Sequence, residues 1–404
     1  MTVVVVGGGL AGAKAVEAAR EAGYDGRLVL VGQEEEAPYE RPPLSKEVLR
    51  GEKPAESARV HAEGFYRDHE VELRTGAAAT ALDLSSRTVQ VGGELLPFES
   101  LVLATGARPR ELKVPGAELS GVHYFRTAQD AQRLGEAIRG GGRVAVIGAG
   151  WIGSEVAASA RQLGAEVVMV DPLPTPLHAV LGPAIGGAFG RLHRDHGVQL
   201  RTGVGVSALQ GSGAVEGIVL ADGTVEAADV VVVGVGVVPE VGLAEEAGLA
   251  VDNGVVVDER LMTAAPGVLA TGDVASAFHP RYGRHLRVEH WANALNQGAA
   301  AGRNAVSEPQ VYDRLPYFYS DQYDLGMEYV GLAGRDDSLI LRGDLESLRF
   351  LAFWHRDGRV TAAMAVNTWD VIEDLKAVIT SGWELDENAL RDEDVALASL
   401  RGTA

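Results

Sequence analysis

One order of apolar, glycine and polar positions occurs twice along the chain. Residues 3–12 read VVVVGGGLAG, and residues 144–153 read VAVIGAGWIG. In both copies an apolar run rich in β-branched residues, typical of a buried strand, precedes glycines spaced G-x-G-x-x-G. An alanine-rich stretch follows, and a glycine ends it, Gly23 in the first copy and Gly164 in the second. The pattern therefore predicts a strand, a glycine turn and a helix, twice.

Each predicted helix is followed by a second strand that ends beside acidic residues. The predicted elements are helices over 10–22 and 151–163 and strands over 27–31 and 166–170. After the first of these strands the chain reads QEEE at 33–36, and after the second it carries Asp171. An acid in this place can accept hydrogen bonds from ribose hydroxyls. Two copies of this order predict two dinucleotide-binding units of α/β class.

The glycines of the two motifs have distinct tasks in such a unit. The first permits a tight turn, the second lets the backbone approach a pyrophosphate, and the third allows close packing of helix and strand. The start of the helix then offers unpaired N–H groups to the anion. The glycines concerned are Gly7, Gly9 and Gly12 in the first copy and Gly148, Gly150 and Gly153 in the second. A lone motif of this kind is weak evidence, but two copies in full context are strong.

Further strands indicate that the first nucleotide unit is interrupted by the second. Buried strands that end in glycine are predicted at 101–106, 230–236 and 269–273. After about residue 316 the sequence pattern changes to segments that are rich in aromatic residues and alternate between apolar and polar positions, such as 348–355 and 360–366. These segments predict a smaller α+β domain at the C-terminal end.

Composition excludes several classes of protein. The chain has 404 residues with 36 Lys+Arg, 56 Asp+Glu, a formal net charge of −20 and no cysteine. Without cysteine there are no disulfides, thiolate metal sites or thiol catalysis, and we expect no metal site. The acidic balance argues against nucleic acid as a partner. Met1 and Thr2 lead directly into Val3 without the basic segment of a secretory signal. No apolar run is long enough to span a membrane. We therefore expect a cytoplasmic protein without a membrane partner. No sign of an obligate interface is visible, so we expect a monomer.

The sequence resembles a known family, the FAD-dependent NAD(P)H:ferredoxin reductases that serve bacterial cytochromes P450 and ring-hydroxylating dioxygenases. The segments that carry the resemblance are the two glycine motifs, PYERPPLSK at 38–46, ATGARP at 104–109, TGD at 271–273, EHW at 289–291 and the aromatic segment at 317–323. PYERPPLSK is far more discriminating than either glycine motif.

The family implies a glutathione-reductase-like fold with two Rossmann-type nucleotide-binding domains and a small α+β C-terminal domain. The implied boundaries are 1–109 and 239–315 for the two segments of an FAD domain, 110–238 for an inserted NAD domain and 316–404 for the C-terminal domain.

The resemblance also implies the residues that bind the cofactors. Gly7, Gly9, Ala11 and Gly12 would line the FAD pyrophosphate, Asp273 would bind the ribityl chain or pyrophosphate, and Glu289, His290 and Trp291 would border the flavin ring. Gln33 and Glu34 both remain candidates for the adenosine ribose, and we favour Glu34 for its charge. Ala79 and Arg126 match positions that contact FAD in relatives. The predicted cofactor-binding set is completed by Arg41, Ala104, Thr105, Gly106, Gly148, Gly150, Ile152, Gly153 and Gly236.

Lys46 and Glu155 are the predicted catalytic residues. Ser45 is a candidate helix N-cap, which would place Lys46 in a first helical turn, where a cation opposes the helix dipole. The resemblance implies that Lys46 lies beside the flavin N5 edge and that Glu155 pairs with it beside the nicotinamide. A solvated surface lysine and a carboxylate placed to suit the helix start are the alternatives.

Asp171 bears on the choice of nicotinamide cofactor. A carboxylate here accepts both ribose hydroxyls of NAD and repels the 2′-phosphate of NADP. The following residues 172–176 read PLPTP and supply no arginine. The resemblance implies FAD as cofactor, and Asp171 predicts NADH, preferred over NADPH, as co-substrate.

Other candidates are interpreted as structural. His193 and His196 have the i, i+3 spacing of a metal pair, but without a recognisable third ligand we expect a solvated helix face. Glu35 and Glu36 are interpreted as a solvated turn.

The implied reaction is hydride transfer from NADH to FAD, followed by single-electron transfer to a 2Fe-2S ferredoxin that feeds a cytochrome P450 or a dioxygenase. The alternatives are an NADH-dependent rubredoxin, quinone or oxygen reductase, or a flavoprotein with a binding role like apoptosis-inducing factor.

Overall fold

The computed structural model describes residues 2–382, 384 and 386–401. Numbered in chain order, the strands are β1 Thr2–Val6, β2 Arg27–Val31, β3 Val71–Arg74, β4 Ala79–Asp83, β5 Thr88–Val91, β6 Glu94–Pro97, β7 Ser100–Leu103, β8 Ala107–Pro109, β9 Val122–Tyr124, β10 Arg143–Ile147, β11 Glu166–Asp171, β12 Gln199–Thr202 and β13 Val206–Gln210. They continue with β14 Gly217–Leu220, β15 Val225–Ala227, β16 Val230–Val233, β17 Val237–Pro239, β18 Val255–Val257, β19 Val268–Ala270, β20 Ala275–His279, β21 Arg284–Leu286, β22 Tyr317–Gln322, β23 Leu325–Gly331, β24 Ser338–Asp344, β25 Arg349–Arg356 and β26 Arg359–Val366.

The α-helices are α1 Leu10–Glu21, α2 Phe65–Asp68, α3 Ala128–Arg139, α4 Trp151–Gln162, α5 His178–Asp195, α6 Gly242–Glu246, α7 Trp291–Asn304, α8 Ile372–Ser381 and α9 Glu387–Arg391. Short turns of 3-10 type lie at Ala55–Ala58, Gly272–Val274 and Leu397–Arg401, and one wide π-type turn lies at Leu44–Val48. The strands and helices predicted from the repeated pattern are confirmed to within one residue at each end. Gly23 and Gly164 follow the first two predicted helices with φ of +84° and +87°. None of the helices in the described part of the chain is long and apolar enough to cross a membrane.

The chain packs as two compact units. The first unit comprises the chain up to Pro42, Pro54–Arg108 and Val237–Arg314. The second unit comprises Pro43–Lys53, Pro109–Gly236 and the chain from Leu315 on. The four functional segments predicted above stay a prediction, because packing alone does not say which cofactor a segment binds.

The first unit is built on a parallel sheet with strand order β19-β7-β1-β2-β3. Its central strand β1 is buried from Val3 to Val6, as the apolar run predicts. Helices α1 and α7 approach each other so closely that a Cβ on Gly302 would lie 2.0 Å from the Ala15 carbonyl oxygen. Smaller sheets with orders β4-β5-β6 and β18-β20-β21 complete this unit.

The second unit contains another parallel sheet, with strand order β12-β11-β10-β16-β9, and the antiparallel sheets β13-β14-β15 and β22-β23-β26-β25-β24. In the last of these, alternate residues of β25 face opposite sides. Phe350 and Trp354 belong to the apolar cluster that includes α5, whereas Phe353 belongs to the cluster that includes α8. The alternation predicted at 348–355 is therefore confirmed, and the sheet is covered on both faces.

Candidate functional site

The first glycine turn lies in the first unit, between β1 and α1. Gly7 has φ +127°, and a Cβ there would lie 2.0 Å from the Ala104 carbonyl oxygen, so only glycine fits. Gly9 precedes α1 and offers no side-chain cap, and a Cβ on it would meet nothing within 4 Å. The start of α1 therefore has no side-chain cap and has open space beside Gly9, which suits a bound phosphate group. Ala11 and Gly12, the remaining predicted pyrophosphate residues, are buried in the first turn of α1.

Of the two candidates for the ribose, Glu34 is the one with charged partners. Gln33 is exposed, whereas the Glu34 carboxylate is half-buried and accepts hydrogen bonds from Arg41 at 2.9 Å and from the Tyr39 hydroxyl. Burial alone would lower the pKa of Arg41, but Tyr39, Glu34 and Asp273 outweigh it and raise that pKa. The structure thus brings Glu34, Arg41 and Asp273 together, and the choice of ribose ligand stays a prediction.

The end of β19 adds a residue that the sequence interpretation did not single out. Thr271 is fully buried, and within the described residues no hydrogen-bond partner reaches its hydroxyl. Buried hydroxyls nearly always have a partner, so an unsatisfied one two residues before Asp273 points to a ligand. The neighbouring Gly272 N–H donates to the Gln297 side chain at 2.8 Å, which fixes the backbone of this turn. The open helix start and this free hydroxyl fit a bound FAD.

The remaining residues predicted to contact FAD occupy varied positions. Thr105 donates to the Glu240 carbonyl at 2.7 Å, and Gly106 accepts from the Glu240 N–H at 2.9 Å, so both tie the segments of the first unit together. Glu289 pairs with Arg287, and burial lowers the pKa of His290 to about 4. In the first unit, His290 lies just before α7, and Trp291 is the first residue of that helix. Ala104 follows β7, and Ala79 begins β4. Arg126 lies in the second unit, between β9 and α3.

The second glycine turn, in the second unit between β10 and α4, repeats the first. Gly148 has φ +101°, and a Cβ there would lie 2.3 Å from the Gly234 carbonyl oxygen. Gly150 again leaves the helix start without a side-chain cap. Gly153 could not carry a Cβ, which would lie 2.0 Å from the Gly148 oxygen. Ile152 exposes an apolar side chain on the first turn of α4, and Gly236, with φ +96°, has open space beside it. This turn fits a second dinucleotide.

Asp171 ends β11 directly beside this turn. Its carboxylate accepts one backbone N–H from Ala149 at 2.7 Å and another from Leu173 at 2.8 Å. Both bonds fix the carboxylate against the glycine turn, and each oxygen keeps a lone pair for another donor. The position and the fixed orientation suit contact with ribose hydroxyls.

Lys46 and Glu155 form an ion pair within the second unit. Lys46 Nζ lies 3.0 Å from Glu155 Oε2, and the two side chains are 12% and 6% exposed. Ser45 donates to Glu155 Oε2 at 2.5 Å, and Ser320 donates to Glu155 Oε1 at 2.7 Å. Three donors on one buried carboxylate fix its orientation. The predicted pairing is therefore present, and the catalytic roles of the two residues stay a prediction.

One expectation about this pair was wrong, and one structural alternative does not hold. Ser45 is not an N-cap: it lies inside the turn Leu44–Val48, and its hydroxyl donates to Glu155. Pro43 already precedes this turn, and Lys46 interrupts it with φ −119° and ψ −110°. Glu155 lies beyond the first turn of α4, so helix electrostatics do not account for its position.

The expectation of a solvated face for the two histidines is wrong for one of them. His196 is exposed and stacks on Tyr323, with ring centroids 3.7 Å apart. His193 is completely buried, because the apolar side of α5 packs against the C-terminal sheet. Its Nε2 lies 3.0 Å from Gln322 Oε1, and burial lowers its pKa to about 4. His193 is therefore a neutral, hydrogen-bonded residue of the core.

Comparison with known proteins agrees with these features. The chain matches the family model described as pyridine nucleotide-disulphide oxidoreductase over residues 1–298, and a second model described as reductase C-terminal over residues 317–401. It is 39% identical to the anthranilate 1,2-dioxygenase system ferredoxin–NAD(+) reductase component of Burkholderia cepacia, over 98% of each chain.

Solved structures are similar over the whole chain. The crystal structure of the ferredoxin reductase for the CYP199A2 system from Rhodopseudomonas palustris superposes with a TM-score of 0.96, at 34% identity, over 99% of this chain and 100% of that chain. The covalent putidaredoxin reductase–putidaredoxin complex superposes with a TM-score of 0.94, at 35% identity, over 99% of this chain and 97% of the other. With two glycine turns of dinucleotide type, the chain belongs to the pyridine nucleotide-disulphide oxidoreductase family, among the ferredoxin reductases of dioxygenase and P450 systems.

Proposed function

We propose that this protein is an NADH-dependent, FAD-containing ferredoxin reductase. The observation that carries the proposal is the pair of glycine turns, one in each unit, each placed between a buried strand and an uncapped helix. A bound FAD would accept a hydride and release electrons singly, which suits transfer from a nicotinamide to a one-electron acceptor. The family is named for disulphide chemistry, but this chain has no cysteine, so its electrons would go to an external acceptor.

The first unit would hold FAD. The backbone at Gly7, Gly9 and Gly12 would receive the pyrophosphate at the start of α1, which has no side-chain cap and whose first N–H groups have no partner within the helix. Glu34, oriented by Arg41, would accept from the adenosine ribose. Thr271 would give its free buried hydroxyl to the cofactor, next to Asp273.

The second unit would hold NADH at the turn Gly148–Gly153. Asp171 would accept the ribose hydroxyls, and its negative charge would repel a 2′-phosphate. We expect kcat/KM to favour NADH over NADPH at least about tenfold, which corresponds to roughly 1.4 kcal/mol. Equal values for the two nucleotides would contradict this assignment.

Lys46 would supply positive charge where the flavin becomes negative on reduction, and Glu155 would hold the ammonium group in place. The acceptor we propose is a 2Fe-2S ferredoxin, which would pass electrons to a cytochrome P450 or a dioxygenase. The ferredoxin reductase names of the relatives support this choice.

The test is an anaerobic titration of the purified protein with NADH, followed by absorption spectroscopy, and a ferredoxin-coupled cytochrome c assay. We expect flavin bands that NADH bleaches, and turnover with a 2Fe-2S ferredoxin well above that with rubredoxin, quinone or oxygen. A protein without flavin bands would overturn the whole proposal. Bleaching with faster turnover on another acceptor would overturn only the choice of partner.

A further inference from the structure

A line of buried polar side chains runs through the second unit and ends on Glu155. Gln322 Nε2 lies 3.3 Å from Ser320 Oγ, and Gln322 Oε1 lies 3.0 Å from His193 Nε2. At the far end, His193 Nδ1 lies 3.2 Å from the Tyr323 hydroxyl. Ser320, Gln322 and His193 are each 1% exposed or less. These side chains link α5 to α4 through strand β22.

The hydrogen bonds in this line have one direction. An ionised carboxylate only accepts, so the Ser320 hydroxyl donates to Glu155 and must accept from the Gln322 amide nitrogen. The Gln322 oxygen then faces His193, which must carry its proton on Nε2. The unprotonated Nδ1 can accept from Tyr323. Every proton in the line therefore points toward Glu155, and such chains reinforce the charge on which they end.

The residue types in β22 are unusual for their positions. The inward residues of this strand are Phe318, Ser320 and Gln322, and Phe318 packs in the apolar cluster with α5. Apolar side chains would normally fill all such positions, because buried polar groups are stabilising only when fully hydrogen-bonded. Ser320 and Gln322, the two polar residues in this apolar face, form hydrogen bonds with each other. Ser320 also bonds Glu155, and Gln322 also bonds His193, which indicates a role beyond packing.

We infer that Ser320, Gln322 and His193 are positioning residues that hold the Glu155 carboxylate in the plane in which Oε2 meets Lys46. Rotation about the last torsion of a glutamate is soft, so a donor on Oε1 is needed to fix that plane. The inference rests on the proposed function, since it assigns the line to the Lys46–Glu155 pair. Ser320 bonds Glu155 directly, whereas Gln322 and His193 act on the pair through Ser320. None of the three would touch the nicotinamide or the flavin.

The first test is stopped-flow reduction of the FAD-loaded protein by NADH, with limiting rate and half-saturating NADH measured separately. We expect Ser320→Ala to lower the limiting rate about tenfold, which corresponds to about 1.4 kcal/mol of transition-state stabilisation. Half-saturation should change less than about twofold, because nucleotide binding is untouched. Ser320→Thr keeps the hydroxyl and should restore the rate. Ser276→Ala, a buried serine of β20 in the first unit, is the matched control and should match the wild type.

A limiting rate of flavin reduction in Ser320→Ala equal to that of the wild type would overturn the inference. A Ser320→Thr variant as slow as Ser320→Ala would also overturn it, because the hydroxyl would then not matter. A second measurement needs no turnover: long-range ¹H–¹⁵N NMR reports the His193 tautomer, with His193→Asn for assignment. We expect the proton on Nε2, and a proton on Nδ1 would refute the direction of the line. If NADH fails to reduce even the wild type, the proposed function fails, while the tautomer still tests the line of hydrogen bonds.

Discussion

The ion pair between Lys46 and Glu155 should be strongly coupled to the stability of the second unit. Glu155→Gln keeps the shape of the side chain but removes its charge and replaces one acceptor oxygen with an NH₂ donor. Three donors meet the carboxylate in the wild type, namely Lys46, Ser45 and Ser320. The amide can accept on only one side, so at least one of the three donors loses its acceptor: either Lys46, which cannot accept, faces the NH₂, or the Ser320 hydroxyl must turn and accept from it.

The magnitude follows from burial. Removing one partner of a buried ion pair commonly costs about 3–5 kcal/mol, because the other charge stays buried. Here the carboxylate is 6% exposed and Lys46 is 12% exposed, so screening by solvent is small. We expect Glu155→Gln to lower the free energy of unfolding by about 3 kcal/mol, and Lys46→Met by about 2 kcal/mol, since the two hydroxyls remain on the carboxylate. The double variant should lose about 1–2 kcal/mol less than the sum of the two.

The assay is a double-mutant cycle in urea at pH 7 on FAD-loaded protein, followed by tryptophan fluorescence. Trp151 and Trp354 lie in the second unit and report on its unfolding. Additive losses to within about 0.5 kcal/mol would refute the coupling.

In stopped-flow work, Lys46→Ala and Glu155→Ala should slow reduction by NADH more than they weaken FAD retention. Wild-type reduction rates in both would show that the pair is structural only.

Three further outcomes are expected. Asp171→Ser should reduce the NADH preference in kcat/KM toward parity with NADPH, and an unchanged ratio would show that the carboxylate does not face the ribose. The pKa of His193 is lowered to about 4, so as the pH falls the unfolded chain binds a proton on this residue before the folded chain does. Neutral His193 should therefore contribute about 3 kcal/mol of folding stability above pH 6.5, and this contribution should be lost as the pH falls to 4. The urea stability of the wild type relative to His193→Asn should fall by that amount over this range, and a difference that does not change with pH would contradict the prediction. Gly7→Ala should abolish FAD retention measured by absorbance, since its Cβ would overlap the Ala104 carbonyl, and retention at the wild-type level would refute this reasoning.

The repeated strand, turn and helix could be predicted because their signals are local. The β-branched runs before Gly7 and Gly148, and the glycines after the helices, decide those elements within about twenty residues of sequence. The pairing of Lys46 with Glu155 was predicted only through the family resemblance. No spacing along the chain connects residues that are so far apart in sequence.

The line behind Glu155 could not be predicted from sequence. His193 has the spacing of a surface pair, and its burial depends on how α5 packs on the C-terminal sheet. Ser320 and Gln322 read as ordinary polar positions until β22 is seen to place them inward with Phe318. Ser45 resembled an N-cap because serine is favoured at helix starts. In the structure its hydroxyl donates to the carboxylate of Glu155, which is distant in sequence.

The strand order of the first unit has a consequence for biosynthesis. Strand β19 pairs with β7, with Val268 beside Leu101, so the whole stretch 104–267 must leave the ribosome before this edge of the sheet can close. Pairings so distant in sequence form slowly, and an apolar strand with an open edge invites association with other chains. Leu101, Val102 and Leu103 would stay uncovered on that side during synthesis, although all are buried in the finished protein. Production of this protein should therefore benefit from slower translation or lower temperature, and truncation before β19 should yield aggregates.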